Sequence, residues 1–581
     1  MPMLKNPSLK YKKFEPVNLP NRQWPNKTFE KPPRWLSTDL RDGNQSLPDP
    51  MDFNEKKIYL EKLVELGFKE IEVAFPSASQ VDFDFTRHAV ETVPDDVSIQ
   101  VLSPCREPMI RRTIESLKGA KRATVHIYLA TSDCFRNIIF GMTQEESIEL
   151  AIKCTKLVRS LTKDDPSTKG TEWSFEFSPE TFSDTDPEYV IRICEAVKSA
   201  WEPSVENPII FNLPATVEMS TPNVYADQIE YFSTHISNRE TVCISLHPHN
   251  DRGCAVAAAE LAQLAGADRV EGCLFGNGER TGNVDLVTLA LNLYTQGIYP
   301  NLDFSDMKSV IDIVEKCNKI PVHPRAPYGG QLVVCAFSGS HQDAIKKGFK
   351  THEKLSKTEE NPIWQMPYLP LDPQDIGRTY EAIIRVNSQS GKGGAAWVIL
   401  RNMELDLPRG LQISFSKVVQ NSTEVKGTEL RTTEIMDLFK DTYFVNEEGD
   451  YSKDGLDLFK LEDYTITNTS KNERKVEGKI KGYGKELSIS GVGNGPISSY
   501  ADALSKAFNC KLAVVHYHEH SLGKDSNSKA VSYIECNVTS QNGKESLIWG
   551  VGVHEDVSQA NFSSLLSIVN SAVRDSLISI N

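Results

Sequence analysis

Two histidines stand one residue apart in the segment VCISLHPHNDRGC, residues 242–254. In an extended chain, side chains two positions apart point to the same face, so His247 and His249 would lie about 6 to 7 Å apart on one side of a strand. That spacing suits two ligands of one metal ion. The alternative interpretation is a pair of surface or hydrogen-bonded loop histidines.

Other residue types in the chain could complete a metal centre with mixed nitrogen and oxygen ligands. Asp42 follows a β-rich segment in STDLRDGNQ, and Asn283 follows another in FGNGERTGNVD. A carboxylate, two neutral imidazoles and an amide oxygen suit a six-coordinate divalent ion that keeps two open positions. Those positions fit the carboxylate and keto oxygens of a 2-oxo acid, whose ketone carbon would then be polarised for nucleophilic attack.

These residues need a frame that brings distant segments together, and the pattern from residue 34 onward predicts one. Short β-rich segments alternate with segments long enough for helices, and the eight are RWLST, EIEVAF, SIQVL, TVHIYLA, WSFEF, IIFNLP, VCISL and VEGCLF. This alternation is typical of a TIM (β/α)8 barrel in the α/β class. A doubly wound sheet is the alternative, but it does not normally need eight consecutive units, and no GxGxxG follows the first strand.

In such a barrel the functional groups collect where the strands end and the next loops begin. The candidates at these strand ends are Arg41, Asp42, Ser178, Glu180, Thr216, His247, His249, Glu279, Arg280 and Asn283. The sequence therefore predicts one site built from distant segments on one face of the barrel.

The composition limits the classes of function. A chain of 581 residues with 39% hydrophobic residues is long enough for several domains. We find no run of about 18 apolar residues, so we expect no membrane span. The net charge of −15 argues against general nucleic-acid or membrane-surface binding and leaves room for a local basic pocket. The 11 cysteines include no CxxC pair, as expected of reduced thiols in an intracellular protein.

The first thirty residues are rich in lysine, asparagine and proline and predict an N-terminal arm. A transit peptide is more typically Arg-rich and amphipathic. We therefore expect a cytoplasmic location, with the mitochondrial matrix as the alternative.

The C-terminal part contains an internal repeat. After the polar segment FKDTYFVNEEGDYSKDG, two similar stretches run from a strand through Gly-Val-Gly into a helix, and Gly491 and Gly550 mark the same place in each. The pattern predicts an α+β domain made of two βββα units, which could leave a small pocket at a pseudo-twofold axis. Glycines at a helix start could admit a small carboxylate. Support of dimerisation alone is the other interpretation.

A glycine-rich stretch, NSQSGKGG at residues 387–394, precedes this domain. Its backbone N-H groups and Lys392 could hold an anion such as a CoA phosphate. A flexible turn is the alternative. The spacing is not that of a nucleotide phosphate-binding loop, so we predict no ATP site.

Five motifs together closely resemble the 2-isopropylmalate synthase family in its long, fungal-type form. They are STDLRDGNQ, HPHNDRGCAVAAAELAQLAGADRVEGCLFGNGERTGNVD, FSGSHQDAIKKG, PYLPLDPQDIGRTYEA and RVNSQSGKGG. The resemblance covers the chain from about residue 30. The barrel motifs are shared with homocitrate and citramalate synthases, whereas the later motifs favour the leucine-pathway enzyme.

The resemblance implies an acyltransferase that condenses acetyl-CoA with 3-methyl-2-oxobutanoate and hydrolyses the thioester to 2-isopropylmalate and CoA, with feedback inhibition by leucine. It implies a metal, Mg, Mn or Zn, held by Asp42, His247, His249 and Asn283. It further implies that Arg41 stabilises charge on the keto oxygen and that Ser178, Thr216 and His126 contact the oxo acid. Either Glu180 or His341 would transfer protons, and His341 and Tyr368 would act in the active site of the partner subunit of a homodimer. Gly491 and Gly493 would lie near leucine.

Taken singly, several of these residues have simpler interpretations. Thr216 could cap a helix, Glu180 could be a surface carboxylate, and Tyr368 could be a loop aromatic packed beside prolines. We expect an arm at 1–30, a catalytic barrel at 31–330, linker subdomains at 331–430 that contribute to the partner's active site, and a leucine-binding regulatory domain at 431–581.

Three rival functions use the same barrel. A metal-dependent oxo-acid lyase would need no CoA pocket. A leucine sensor on an inactive barrel has no physical need of an intact Arg41, Asp42, His247, His249 and Asn283 set. Homocitrate synthase would require a basic group for a second carboxylate, and the sequence locates none.

Overall fold

The computed structural model describes residues 17–336, 338–360, 362–378, 392–445, 458–469, 472–523 and 528–580. The chain divides into two compact units. The first comprises Met1–Val333 and Leu371–Arg378, and the second comprises Val334–Pro370 and Thr379–Asn581.

The first unit is built around a closed barrel of eight parallel strands in chain order. The strands are β1 (Arg34–Ser37), β2 (Glu70–Ala74), β3 (Ser98–Pro104), β4 (Arg122–Ala130), β5 (Glu172–Glu180), β6 (Ile209–Ala215), β7 (Val242–Pro248) and β8 (Arg269–Gly272). β1 closes the ring because it pairs with β8 as well as with β2, placing Trp35 opposite Val270. The predicted TIM barrel is confirmed, and each of the eight β-rich segments forms one of its strands.

Helices join the strands and share one apolar core with them. They are α1 (Phe53–Glu65), α2 (Gln80–Thr92), α3 (Glu107–Ser116), α4 (Asp133–Phe135), α5 (Gln144–Leu161), α6 (Pro187–Trp201), α7 (Pro222–His235), α8 (Ala255–Leu264), α9 (Leu286–Tyr294) and α10 (Met307–Asn318). Capping boxes begin α1 and α5, so backbone N-H groups that lack an intrahelical partner are bonded there.

The described part of the N-terminal arm is tied to α7. The Trp24 indole N-H donates to Asp227 Oδ1 at 2.8 Å, and Arg22 forms an ion pair with the same carboxylate. Residues 1–16 of the predicted arm lie outside the described residues.

The second unit begins with helices. These are α11 (Gly339–Leu355), α12 (Lys392–Met403), α13 (Arg409–Lys426) and α14 (Thr432–Tyr443). Helices α12 to α14 contribute to a core in which Phe415 meets Phe439 edge-on, with ring centroids 5.0 Å apart. Among the described helices of either unit, none combines the length and the hydrophobicity that a membrane span requires.

The predicted βββα repeat is present at the C-terminal end of the second unit. Its first copy is β9 (Lys460–Asn468), β10 (Arg474–Gly482), β11 (Lys485–Gly493) and α15 (Pro496–Ala507), and its second is β12 (Lys511–Leu522), β13 (Lys529–Thr539), β14 (Glu545–His554) and α16 (Val557–Arg574). Each copy forms an antiparallel three-stranded sheet. Tyr500 of α15 stacks on Phe562 of α16 at 4.2 Å, so the two copies share one core.

The repeated glycines allow each helix to lie close to its sheet. A Cβ atom on Gly491 would be 2.2 Å from the Ser499 carbonyl oxygen, and one on Gly550 would be 2.0 Å from that of Ser564. Helix backbone therefore fills the space beside these glycines. The sequence predicts room for a small ligand here, whereas the packing of the helix is by itself a sufficient reason for glycine.

We expect Gly491→Ala to lower the free energy of unfolding by about 2 kcal/mol, as overpacking of a tightly filled contact does. The measurement is thermal or denaturant unfolding of the full chain. Gly495→Ala is the matched control, because a Cβ atom on Gly495 meets nothing within 4 Å. Equal stability of the two variants would contradict the packing explanation.

Candidate metal centre and substrate pocket

A pocket of about 240 Å³ opens where the barrel strands end. All but one of the predicted barrel site residues line it, namely Arg41, Asp42, His126, Ser178, Glu180, Thr216, His247, His249, Glu279 and Arg280. The remaining one, Asn283, contacts two of them. The structure thus brings together residues that stand far apart in the sequence.

Arg41 and Asp42 lie in a wide π-type helical turn, Asp39–Gly43, that follows β1. All of its residues are buried. The Asp39 carboxylate accepts a hydrogen bond from the Tyr59 hydroxyl at 2.7 Å, which ties the turn to α1. Turns of this type frequently occur at functional sites.

Asp42, His247 and His249 form a buried cluster whose possible ligand atoms all lie within 4.8 Å of one another. Asp42 Oδ2 is 3.4 Å from His247 Nε2 and 4.0 Å from His249 Nε2. His249 Nδ1 is buried and has no hydrogen-bond partner among the described residues. An unpartnered buried imidazole nitrogen beside a carboxylate and a second imidazole fits the donor set of a divalent cation.

Asn283 contacts this cluster through both the nitrogen and the oxygen of its side-chain amide. Its Nδ2 donates to Asp42 Oδ2 at 2.8 Å, and its Oδ1 is 3.0 Å from His247 Nε2. The preceding turn depends on Gly282, which has a φ of +99° and whose Cβ would be 1.9 Å from the Gly276 carbonyl oxygen. Only glycine fits this position, and it aims Asn283 at the cluster.

The orientation of the His247 ring is set by the contact that its Nδ1 atom makes. Nδ1 lies 3.0 Å from Glu271 Oε2, and Nε2 faces Asp42 and Asn283. A carboxylate that accepts the Nδ1 proton fixes the ring so that Nε2, once it loses its own proton, is the atom that would bind a cation.

The charges in the cluster are strongly coupled. Burial raises the pKa of the Asp42 carboxyl, but Arg41 and His247 outweigh it and hold that pKa well below its usual range. Burial lowers the pKa of His247, yet its hydrogen bonds to Asp42 and Glu271 raise it to about 10. Burial, followed by the neighbouring His247, lowers the pKa of His249 to about 4. At pH 7 Asp42 is therefore ionised, His249 is neutral, and His247 carries a proton that a bound cation would displace.

Arg41 is buried and held by two carboxylates. Its Nη1 donates to Asp42 Oδ1 at 2.7 Å, and its Nε pairs with Glu72. Burial opposes the charge on Arg41, but Glu72 and Asp42 raise its pKa. The pocket therefore contains a permanent, fixed positive charge.

Three more of the predicted residues line the pocket. Glu180 ends β5 and is half-buried, and burial raises the pKa of its carboxyl despite Arg41. Thr216 Oγ1 accepts the Thr181 N-H at 3.0 Å, and the N-cap of α7 is Thr221, so Thr216 is not a helix cap. Ser178 is buried and donates to a backbone carbonyl oxygen.

His126 sits between carboxylates rather than facing solvent. Its Nδ1 is 2.7 Å from Glu72 Oε2, and its Nε2 is 3.5 Å from Glu176 Oε1. The ring is buried and still lines the pocket.

Several residues that support the site were missed in the sequence. Glu72, Gln100, Asn212 and Glu271 all lie inside strands and are buried. The available signal was a polar residue within an apolar segment, as in EIEVAF and IIFNLP. Such residues are costly to bury unless they are paired, which should have indicated an inward-facing polar layer.

His341 and Tyr368 belong to the second unit and are not among the residues that line the barrel pocket. Their rings stack on each other with centroids 4.0 Å apart. Tyr368 is 60% exposed and has a φ of +64°. A tyrosine exposed to this extent is not the packed loop aromatic of the simpler interpretation.

The predicted anion loop is only partly described. Lys392 begins α12, while its side chain and residues 387–391 lie outside the described residues. Gly491 and Gly493 lie at the end of β11, beside the backbone of α15.

Three segments of the chain match known families. Residues 32–314 match the HMGL-like family, residues 331–400 match the alpha-isopropylmalate synthase post-catalytic domain-like family, and residues 429–573 match the LeuA allosteric (dimerisation) domain.

Curated relatives match along nearly the whole chain. The chain is 60% identical to 2-isopropylmalate synthase from Saccharomyces cerevisiae over 100% of its own length and 92% of the relative. The chain is also 60% identical to 2-isopropylmalate synthase 2, mitochondrial, from the same organism, over 98% of this chain and 94% of the relative.

Among solved structures, the HMG-CoA lyase from Brucella melitensis is 18% identical, covering 50% of this chain and 100% of that one, with a TM-score of 0.40.

Proposed function

The chain belongs to the 2-isopropylmalate synthase family, and from that premise we propose that it condenses acetyl-CoA with 3-methyl-2-oxobutanoate and hydrolyses the thioester to 2-isopropylmalate and CoA. This acyl transfer is the first committed step of leucine biosynthesis. The observation that carries the proposal is the buried cluster of Asp42, His247 and His249 beside Arg41.

Asp42, His247, His249 and Asn283 are the residues that would hold a divalent ion, Mg, Mn or Zn. When bound, the ion supplies Lewis-acid polarisation of the ketone of the 2-oxo acid. The contribution of the chain is a fixed donor set, in which Glu271 keeps His247 Nε2 directed at the cluster.

Arg41 would stabilise the negative charge that grows on the keto oxygen. A guanidinium held by Glu72 and Asp42 needs no reorganisation at the moment of reaction and is screened little by water. Ser178, Thr216 and His126 would contact the oxo acid, since all three line the same pocket.

Glu180 is our preferred acceptor for the proton of the acetyl methyl group, with His341 as the alternative. We expect Glu180→Gln to lower kcat by about 10²-fold, the effect of losing a positioned general base. Because burial raises the pKa of Glu180 and only the carboxylate accepts a proton, wild-type activity should rise as pH increases through that pKa. The pH profile of the variant should lack this rise on the acid side, the acid limb.

The measurement for Glu180 is kcat against pH for the wild type and the variant. Glu188→Gln, an exposed position in α6, is the control and should keep the wild-type profile. If the acid limb persists in Glu180→Gln, another group is the base, and His341 becomes the first to test.

His341 and Tyr368 would complete the active site of the partner subunit in a homodimer. The exposure of both residues supports a role outside the fold of their own unit.

Subunit mixing tests this arrangement. His341→Ala and Asp42→Asn are each expected to be inactive. In a random equal mixture, heterodimers contain one intact site if His341 acts across the interface, so about a quarter of wild-type activity should return. If His341 acts within its own subunit, the mixture should stay at the background of the separate variants.

Leucine would bind the C-terminal domain and inhibit the enzyme. We propose that Gly491 and Gly493 lie near it, at the point where β11 ends and α15 begins, because N-H groups at a helix start favour a carboxylate. Lys392 would contact a phosphate of CoA. The proposed division of the chain is an arm at 1–30, a catalytic barrel at 31–330, linker subdomains at 331–430 and this regulatory domain at 431–581.

The deciding experiment is the release of CoA thiol from acetyl-CoA by the metal-supplied protein. The acceptors are 3-methyl-2-oxobutanoate, 2-oxoglutarate, pyruvate and none, each with and without leucine. Release that requires the branched oxo acid and falls with leucine supports both the catalytic role of the barrel and the regulatory role of the C-terminal domain. Preference for 2-oxoglutarate would indicate a homocitrate synthase, and preference for pyruvate a citramalate synthase. No release with any acceptor would favour the lyase or the sensor.

For location we propose the cytoplasm, with the mitochondrial matrix as the alternative. One curated relative at 60% identity is named as mitochondrial. Fractionation of cells that express the full chain separates the two outcomes.

A further inference from the structure

Arg269 begins β8 and is fully buried, with 0% exposure. An arginine side chain has five N-H donors. Its partners are Ser245 Oγ at 2.8 Å, Glu70 Oε2 at 2.9 Å, Gln100 Oε1 at 3.3 Å, Glu271 Oε1 at 2.6 Å and Glu176. With as many partners as donors, the guanidinium is fixed in one orientation inside the barrel.

One route leads from Arg269 to His247 through Glu271. Glu271 Oε1 also accepts from the Ser245 hydroxyl at 2.7 Å, and its Oε2 accepts from Asn212 at 3.1 Å. The same Oε2 lies 3.0 Å from His247 Nδ1. A carboxylate held at both oxygens cannot turn away, so it fixes the plane of the His247 ring.

A second route leads to the carboxylate ligand through Gln100. Gln100 Oε1 accepts from Arg269 Nη1 at 3.3 Å, and Gln100 Nε2 donates to Glu72 Oε2 at 2.7 Å. Glu72 also pairs with Arg41, whose Nη1 is 2.7 Å from Asp42 Oδ1. Each member of this route is buried.

We propose that Arg269 is a positioning residue for the metal centre, fixing His247 through Glu271 and the Arg41 and Asp42 pair through Gln100 and Glu72. The inference rests on the proposed metal centre. It differs from a purely structural role, in which Arg269 would only neutralise three buried carboxylates and would not affect how the distant ligands bind an ion.

The test is Mn²⁺ binding by the metal-free full chain, with the free ion followed by electron paramagnetic resonance. Arg269→Lys keeps one positive charge but cannot reach five acceptors, and we expect its Kd for Mn²⁺ to rise about tenfold, as when a residue that orients a metal ligand is lost. A purely structural Arg269 would lower the unfolding temperature and leave Kd within twofold of the wild type, which overturns the proposal.

Arg34→Lys is the matched control. Arg34 also bonds the Glu70 carboxylate, with Nε 2.7 Å from Oε1, but Glu70 lies on neither route to the metal centre. We expect this variant to change stability and to keep the wild-type Kd. A rise equal to that of Arg269→Lys would mean that general loosening of the barrel explains the effect, and the proposal would fall.

A double-mutant cycle with Glu271→Gln tests whether Arg269 acts through Glu271. If it does, the two changes in Kd combine to less than their product, because the second substitution removes an already weakened contact. Independent effects that multiply would overturn the Glu271 route.

If Arg269→Lys fails to fold, Mn²⁺ binding by Ser245→Ala tests the proposal instead. Ser245 Oγ accepts from Arg269 Nε at 2.8 Å and donates to Glu271 at 2.7 Å, so its loss loosens the link without burying a new charge. We expect a severalfold rise in Kd, and an unchanged Kd rejects the proposal. A wild-type chain that binds no Mn²⁺ would instead reject the metal centre itself, so the two failures are distinguishable.

Discussion

An Asp42→Asn enzyme is expected to release CoA at least about 10³-fold more slowly than the wild type at saturating substrate, because it lacks the only carboxylate of the proposed metal centre. Asparagine keeps the shape of the side chain. It replaces an ionised group, whose pKa lies well below the usual range, with a neutral amide that binds a divalent ion far more weakly.

The large loss should reflect metal affinity rather than unfolding. Asp42 contacts Asn283 and Arg41 by hydrogen bonds that an asparagine can in part reproduce. We therefore expect the variant to unfold close to the wild-type temperature while its Mn²⁺ binding becomes too weak to measure. Removal of metal from the wild type with a chelator should produce the same loss of activity, and added ion should restore only the wild type.

Asp49→Asn provides the control for Asp42→Asn. Asp49 lies a few residues further along the same loop, but its side chain is 74% exposed and pairs with Lys319. Its substitution should leave both kcat and Mn²⁺ affinity within about twofold, as for most surface changes. An Asp42→Asn enzyme with wild-type kcat would exclude Asp42 as a metal ligand, whatever the control shows.

The barrel and its ligands could be predicted because their signals are local. Each β-rich segment carries its own strand propensity, and the strand ends of a parallel barrel share one face, so placing Asp42, His247 and Asn283 together required no knowledge of packing. The alternation rule for strands also placed both histidines on one side. Their observed ring centroids are 5.4 Å apart.

The polar layer beneath the ligands could not be predicted in the same way. Glu72, Glu176, Arg269 and Glu271 occupy strand positions that pattern analysis assigns to an apolar interior. Their pairing joins strands that are not neighbours in sequence, and only the closed barrel reveals which charges meet. Burial of one such charge alone would be strongly unfavourable, so these residues can be understood only as a set.

The glycines of the C-terminal repeat show a different limit to what can be predicted from sequence. The sequence identifies a place where a side chain is not tolerated, but not what occupies the space. At Gly491 and Gly550 the neighbour is helix backbone, whereas a ligand, a turn or a partner chain would give the same sequence pattern.

We expect Arg41→Met to lower kcat by about 10² to 10³-fold with a small change in KM for the oxo acid, because the guanidinium acts where charge develops rather than on the bound substrate. Arg41→Lys should recover part of the loss, since an ammonium keeps the charge but not the fork that reaches Glu72 and Asp42 together. Steady-state kinetics on the three enzymes is the measurement.

Mn²⁺ binding separates this variant from Asp42→Asn. The four ligand residues are intact in Arg41→Met, so the ion should still bind, with an affinity lowered only by the lost support of Asp42. If Arg41→Met loses Mn²⁺ binding as completely as Asp42→Asn, then Arg41 acts through the ligand and has no separate role at the keto oxygen.

Stability gives a second, independent readout for Arg41. Removing the guanidinium leaves Glu72 and Asp42 buried without their cation, and breaking a buried pair in this way costs about 3 to 5 kcal/mol. Arg41→Met should therefore unfold at a clearly lower temperature, while Asp42→Asn, which removes a charge from an acid-rich interior, should not. A slow but thermally stable Arg41→Met enzyme would mean that the two carboxylates find other partners, and His126 beside Glu72 and His247 beside Asp42 are the groups in position.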